Sequence, residues 1–396
     1  MGTMRKWALI GFLLFYAFAG PGAATDHPFG TTITTTLTSG DSTNAGVIDT
    51  LLVDDEWGIW SPGYFLRNTV TGQIFTGGVD AYGIFADDGS TARNAGTIET
   101  SGEGAYGIYA RAYSDARNAV TGSIATSGTD AWGMFARTYS EALNLGQIDT
   151  TGSGASGMVA VNNSSITNSL YIGTTGDEAN GMVARSNSKA LNTNLIETVG
   201  EGSHGMVANL DSTATNRGTI STGGSGAFGM SAGTGSTVLN TDSITTEGQG
   251  AFGMVAGGEG AVATNRGSVA TTGNNADGIV ARNGGSATNA AAGNISTEGN
   301  NAQGMRAING SEITNRGTII TTGNNSQGMV ASGDSTAASL LGATITTEGI
   351  GSHGMGAVSG SSATNSGTIT TSGNDAYGMG ANLGSAITNT GTGLIV

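Results

Sequence analysis

Three histidines, a twice-used Ser-Gly-Asp-Ser-Thr, a few Gly/Asp corners and a run of aromatics are what chemistry would have to use in this 396-residue chain. His27, His204 and His353 are the only imidazoles. His204 and His353 share one repeat position six units apart, which is ~29 Å if each unit advances by one strand spacing. They can share neither a metal ion nor a proton relay, so both read as surface substitutions. Ser-Gly-Asp-Ser-Thr stands at 39–43 and 332–336 and has the composition of a hydrolase nucleophile loop. Ser335, however, fills the place that Ser188 and Ser212 fill in other units, and no histidine keeps step with it. A nucleophile without a base is inert. Gly77-Gly78-Val79-Asp80 and Gly373-Asn374-Asp375-Ala376 suggest calcium corners, but a calcium repeat needs carboxylates in register. The aligned residues include Thr, Gln, Asn and Ser, so solvated corners are the favoured reading. Cysteine is absent, which excludes thiol chemistry and cysteine metal sites. No catalytic, cofactor or metal site is predicted.

The aromatics are more informative. Tyr82, Tyr106 and Trp132 share one position in three consecutive units; Phe85, Tyr109 and Phe135 share another. Tyr113 and Tyr139 form a third pair. In-register rings stiffen stacked coils, and that is the favoured reading. The alternative is an adhesive strip in region 80–140 for a host or environmental glycan or protein surface, because exposed aromatic patches mark binding sites.

The elements that must position these residues follow from one period. The unit Asn-x-Gly-x-Ile-x-Thr-x-Gly-x-x-Ala-x-Gly-Met-x-Ala recurs from Asn44 to the end at intervals of 24–26 residues. Asn leads each unit except at Ser339. The Ile column runs from Ile48 to Ile369, with Thr two residues on; Met or Ile, then Ala two residues on, forms the next column from Ile84 to Met379. Residues two apart face one way on a strand. Each unit therefore predicts short strands around Ile-x-Thr, around Met-x-Ala and, more weakly, in a Ser-x-Ala tail. Repeated Gly and β-branched columns oppose a helical repeat. The expected fold is all-β: a single right-handed parallel β-helix of about fourteen coils, three short strands each. Met158 should point inward, and Val159 outward into water. Longer units carry two extra residues before the Ile strand, an even number that preserves the alternation.

The ends differ from the middle. Arg5 and Lys6 precede an apolar run, Trp7–Ala19, then Gly20-Pro21 and small residues to Ala24. Residues 1–24 read as a secretory signal peptide. The run is shorter than a membrane span needs. Residues 25–43 read as a capping segment, and 44–396 as the repeat domain, truncated inside its last coil. Removing 1–24, which holds two cations and no acid, moves the net charge from −15 to −17. Such a surface argues against nucleic acid as a partner. Absence of cysteine fits a chain that crosses a second barrier unfolded.

Signal peptide, absent cysteine and some fourteen Asn-x-Gly-x-Ile-x-Thr…Ala-x-Gly-Met-x-Ala coils together resemble the passenger region of bacterial autotransporters, over residues 25–396. The resemblance implies export across the Gram-negative inner membrane and passage through an outer-membrane β-barrel translocator. It also implies display or release at the cell surface. No residue after Asn389 supplies that barrel. The favoured function is a non-catalytic stalk or adhesin. The alternative is a polysaccharide-active lyase or hydrolase, which needs acidic and basic residues clustered on one outer face. The outward positions between Ile and Thr, Glu99, Ala125, Asp149, Gly173, Glu197 and Ser221, form no such cluster.

Overall fold

A computed structural model of the chain describes residues 25–396, apart from 29, 31, 34, 39 and 51–53. The expected signal peptide, 1–24, lies outside the described residues. One unit shows the plan: strands Met134–Arg137, Glu141–Asn144 and Gln147–Thr150, joined by corners. Equivalent strands of successive units pair in parallel, giving three sheets of 16, 16 and 14 strands. They are named here, by their signature residues, the Asn sheet, the Ile–Thr sheet and the Met sheet. Like sits on like: Ile98 on Ile124 and Thr100 on Thr126, Met134 on Met158 and Ala136 on Ala160. Sixteen strands at ~4.8 Å make a stack ~72 Å long. The chain is thus an all-β parallel solenoid with three strands per coil, as the repeat predicts.

The two-residue insertions leave the register untouched. In the unit opened by Asn118, Gly122 N donates to Ala119 O at 2.8 Å, closing a small turn. Ser123 still pairs with Thr97. The segment 25–43 adds a strand to each of two sheets: Thr25–His27 pairs with Ser42–Asn44, and Thr32–Ile33 with Val47–Ile48. The irregular copy at 44–67 keeps the register as well, with Ile59 on Ile84 and Trp60 on Phe85.

The core is a column of Ile, Met and Ala, with Ile148, Met158 and Ala160 wholly buried. Beside it runs a buried amide ladder. Asn44 Nδ2 donates to Asn68 Oδ1 at 2.8 Å, and the link repeats coil by coil to Asn315. His27 Nδ1 meets the first amide, 2.7 Å from Asn44 Oδ1. Each amide side chain is satisfied by its neighbours, which is how a polar column tolerates full burial. A second ladder uses serine: Ser114 N donates to Ser140 Oγ, Ser140 N to Ser164 Oγ, and so on. The Thr column closes the next corner, as when Thr100 Oγ1 donates to Ala105 O at 2.6 Å.

Close stacking dictates glycine at one place, and backbone conformation restricts the residue at another. A Cβ on Gly133, just before Met134, would collide with Ile148 Cγ2 and the carbonyl of the next coil's Gly157. One corner position takes positive φ in coil after coil: Asp80 at 54° and Asp375 at 59°, with Gly104, Gly154 and Gly202 in the equivalent place. The Gly/Asp corners therefore serve backbone conformation, which Asp, Asn and Gly tolerate best.

Val159 departs from expectation. It points away from the core, yet it is only 2 % exposed. A second apolar cluster, Phe85, Tyr109, Phe135, Val159, Val183 and Val207, lies on the outer face of the Met sheet. The alternation gives direction correctly, but on this face side chains from the preceding corner fold back and cover the outward residue.

Candidate functional site

That covered face holds the aromatics singled out from sequence. The residue two before each Ile or Met of the Met sheet leaves the corner and lies along the rod. Trp57, Tyr82, Tyr106 and Trp132 form one file, stacked with centroids 6.3, 5.0 and 4.8 Å apart and planes within 8°. The residue after each such Ile or Met rises from the sheet beneath them. Phe85, Tyr109 and Phe135 stack at 5.0 and 4.8 Å. Between the files, rings meet edge to face: Tyr82 on Phe85 at 5.7 Å, Tyr106 on Tyr109 at 5.8 Å, Trp132 on Phe135 at 4.8 Å. Both geometries suit the ring quadrupole.

The six predicted residues thus come together, but in two roles. Phe85, Tyr109 and Phe135 are 5–7 % exposed and form a floor. Arg111 closes one flank; its guanidinium lies 5.2 Å from the Phe85 centroid and Nε is 3.0 Å from Asp87 Oδ1. Tyr82, Tyr106 and Trp132 are half-buried and keep one edge in solvent. Indole N–H groups lock this outer file, with Trp57 Nε1 donating to Asp80 O and Trp132 Nε1 to Gly154 O. Neither the Tyr82 nor the Tyr106 hydroxyl has a hydrogen-bond partner among the described residues. Burial, then the charge of Asp80, raises both phenols, Tyr106 to about 12. They stay protonated and can donate. Tyr113 and Tyr139 stack at 5.3 Å on the neighbouring corner, 68 % and 54 % exposed.

Sequence reasoning missed two members, Trp57 and Trp60. The signal was present: Trp57-Gly58-Ile59 has the spacing of Tyr82-Gly83-Ile84. Later coils reuse the outer file with polar residues. His204 stacks on Phe228 at 4.5 Å and its Nδ1 accepts the Phe228 N–H. Asp277 Oδ1 accepts the Gln303 N–H at 2.7 Å, and Oδ2 lies 2.7 Å from an Arg306 nitrogen. Burial lowers His204 to about 4, helped by Arg282, and raises Asp277 to about 6 against the pull of Arg306.

The other chemical candidates are placed apart. His353 Nδ1 accepts the Tyr377 N–H, so both repeat histidines are structural acceptors in the outer file. Ser335 Oγ donates to Ser332 O and accepts from Ser311 N, a rung of the serine ladder. Among the described residues no group of His, Asp or Glu is gathered as metal ligands would be. A shallow groove of about 360 Å³ crosses the Ile–Thr sheet, lined by Phe75, Glu99, Ala125 and Asp149 with threonine and serine hydroxyls.

A family model described as the BigA third pectate lyase-like domain matches residues 103–293 and, a second time, 277–393. A search of curated proteins gave no match. Among solved structures, a chain in the cryo-EM structure of the Vag8–C1 inhibitor complex superposes with a TM-score of 0.57 at 13 % identity, over 93 % of this chain and 100 % of that one. At that identity the likeness is one of fold. The matched coils carry the Asn, Ile–Thr and Met columns, so the chain belongs to the BigA third pectate lyase-like domain family, with the fold of a parallel β-helix.

Proposed function

We propose that the chain is the non-catalytic, surface-exposed or secreted part of an autotransporter-type protein, a stalk whose aromatic end adheres to a glycan or protein surface. Residues 1–24 would direct export, and an outer-membrane β-barrel would translocate the chain. One observation carries the non-catalytic reading. The polar side chains that chemistry would use, Ser335, His204 and His353, are each engaged in contacts between coils. What faces solvent instead is the edge of the outer file, with the Tyr82 and Tyr106 hydroxyls free to donate. Ring edges with polar tips anchor binding surfaces. The Vag8 structure is a complex with C1 inhibitor, which is in keeping with a β-helix used for binding.

A polysaccharide-active enzyme is the second reading. The pectate lyase-like family name favours it, as do Glu99 and Asp149 in one groove, two coils and so ~9.6 Å apart. That spacing approaches an inverting glycosidase pair. Ala125 stands between them, however, and no cation lines the groove. A single experiment separates the two readings. Purified chain is applied to a panel of immobilised glycans and proteins, and both retention and release of new reducing ends or unsaturated sugars are measured. Retention without turnover is expected. Turnover lost in Glu99→Gln or Asp149→Asn would make the enzyme reading correct.

A further inference from the structure

The outer face of the Asn sheet carries a second feature, independent of the aromatic files. Arg67, Arg93 and Arg117 lie in direct register on three adjacent strands, each exposed. No carboxylate pairs with any of them among the described residues, whereas Arg111 and Arg306 are paired. Like charges directly opposite on neighbouring strands destabilise a sheet. The rest of the file holds no other cation here: Asp26 and then Thr43 stand before it, and Leu143, Thr167, Leu191 and Thr215 after it. The fold therefore does not require arginine here. In a chain of net charge −15, three of the 14 cations stand in one line. Phe65 and Thr91 flank the first two; acids stand at both ends, Asp41 accepting the Phe65 N–H before them, and Asp115 and Glu141 beside Arg117 and the next coil. The shallow groove of about 350 Å³ farther along this face takes in Arg117 with Asp115 and Glu141 and excludes Arg67 and Arg93, so the arginine file itself is an open surface.

We infer that this file binds a linear sulfated glycan lying along the rod axis. The guanidinium groups repeat at ~4.8 Å, one per coil. One pyranose advances a linear glycan by about a coil rise, and successive sugars present their substituents on alternating sides. A sulfated chain thus sets an anionic group against every second arginine, and more where each sugar carries several. The three terminal oxygens of a sulfate ester can bridge guanidinium groups of neighbouring coils, which a planar carboxylate paired with one fork does less well. Other polyanions fit worse. Side chains on one face of an extended acidic peptide repeat at ~6.6 Å, and the phosphates of one duplex strand, rising ~3.4 Å each along the axis, wind around it rather than lie in a straight line. A lipid headgroup surface calls for a basic plane rather than a single line.

The test uses size-defined heparin oligosaccharides and the whole chain. The variant Arg67→Thr, Arg93→Thr, Arg117→Thr introduces the residue that other coils already carry in this file, so its circular dichroism should match the parent. Its control, Arg217→Thr, Arg266→Thr, Arg316→Thr, removes the same charge from exposed arginines two coils apart. The parent should bind heparin, with affinity falling as salt rises. The first variant should bind about tenfold or more weakly with a flatter salt dependence, and the control should bind like the parent. Desulfated heparin, alginate, polyglutamate and oligo-thymidylate should bind less well than heparin. Equal loss in both variants, no loss in the first, or preference for any of the other polymers would overturn the inference. The arginine variant is also scored for attachment to unsulfated surfaces, where no loss is expected, so this outcome is separable from failure of the aromatic reading.

Discussion

Ser339 shows how one residue can be read in the ladder. It interrupts the amide column, and its Oγ lacks a hydrogen-bond partner. In longer units a glycine follows the Asn by four, as Gly122 follows Asn118, and a Cβ there would strike the Asn Oδ1. The corresponding residue after Ser339 is Ala343. The smaller hydroxyl is thus the counterpart of that methyl group. Ser339→Asn alone should destabilise the local coils. Combined with Ala343→Gly it should restore the ladder, with a coupling of about 1 kcal/mol or more in a double-mutant cycle followed by hydrogen exchange. Additive effects would refute the steric link. Met158 and Val159 make the same point about burial. Met158→Asp and Val159→Asp should each cost about 3 kcal/mol or more, because each places an unpaired charge out of water. Val159→Ser should be milder, since Ser231 occupies that file. Tolerance of Val159→Asp would show that the outer face is open.

Elements were legible where equal residues stack on equal residues. The Ile, Thr, Met and Ala columns report strands and register, because an in-register sheet repeats its own requirements. The covered outer face was less legible. Alternation says which way Tyr109 and Val159 point, but whether a corner side chain folds over them depends on corner geometry. The amide ladder is visible in the sequence as a column of Asn, while its hydrogen bonding depends on how the coils stack. The outer file also sets a pH balance. His204 has its usual 6.5 lowered to about 4 in the folded chain, so its contribution is complete above pH 6.5 and lost as pH falls toward 4. Asp277 is raised from 3.8 to about 6, so its contribution runs the other way: stability falls as pH rises from about 4 to 6. Each effect is up to about 3 kcal/mol, and they oppose each other in one window. His204→Phe should protect the melting temperature between pH 6.5 and 4, and Asp277→Asn should make it fall more steeply on acidification. A parent whose melting changes identically in both variants would contradict these assignments.

At the scale of the whole molecule the rod is uniform in its core and uneven on its surface. Its inner columns continue for almost the entire described length, but the continuous double aromatic file is confined to the coils from Trp57 to Tyr139. Stiffness alone gives no reason for that concentration. The inner file, Phe85, Tyr109 and Phe135, is a floor, so substituting it tests stability; the outer file tests adhesion. The most direct measurement is attachment of purified chain to cells and to a glycan array, comparing the parent with Tyr82→Thr, Tyr106→Thr, Trp132→Ser. Ser and Asn occupy this file at Ser156 and Asn180, so the variant is expected to retain its β-type circular dichroism. The expected result is loss of attachment, about tenfold or more if these rings are the anchors. Unchanged attachment, or attachment lost only together with the β signal, would contradict an adhesive role and leave the aromatics as stiffening alone.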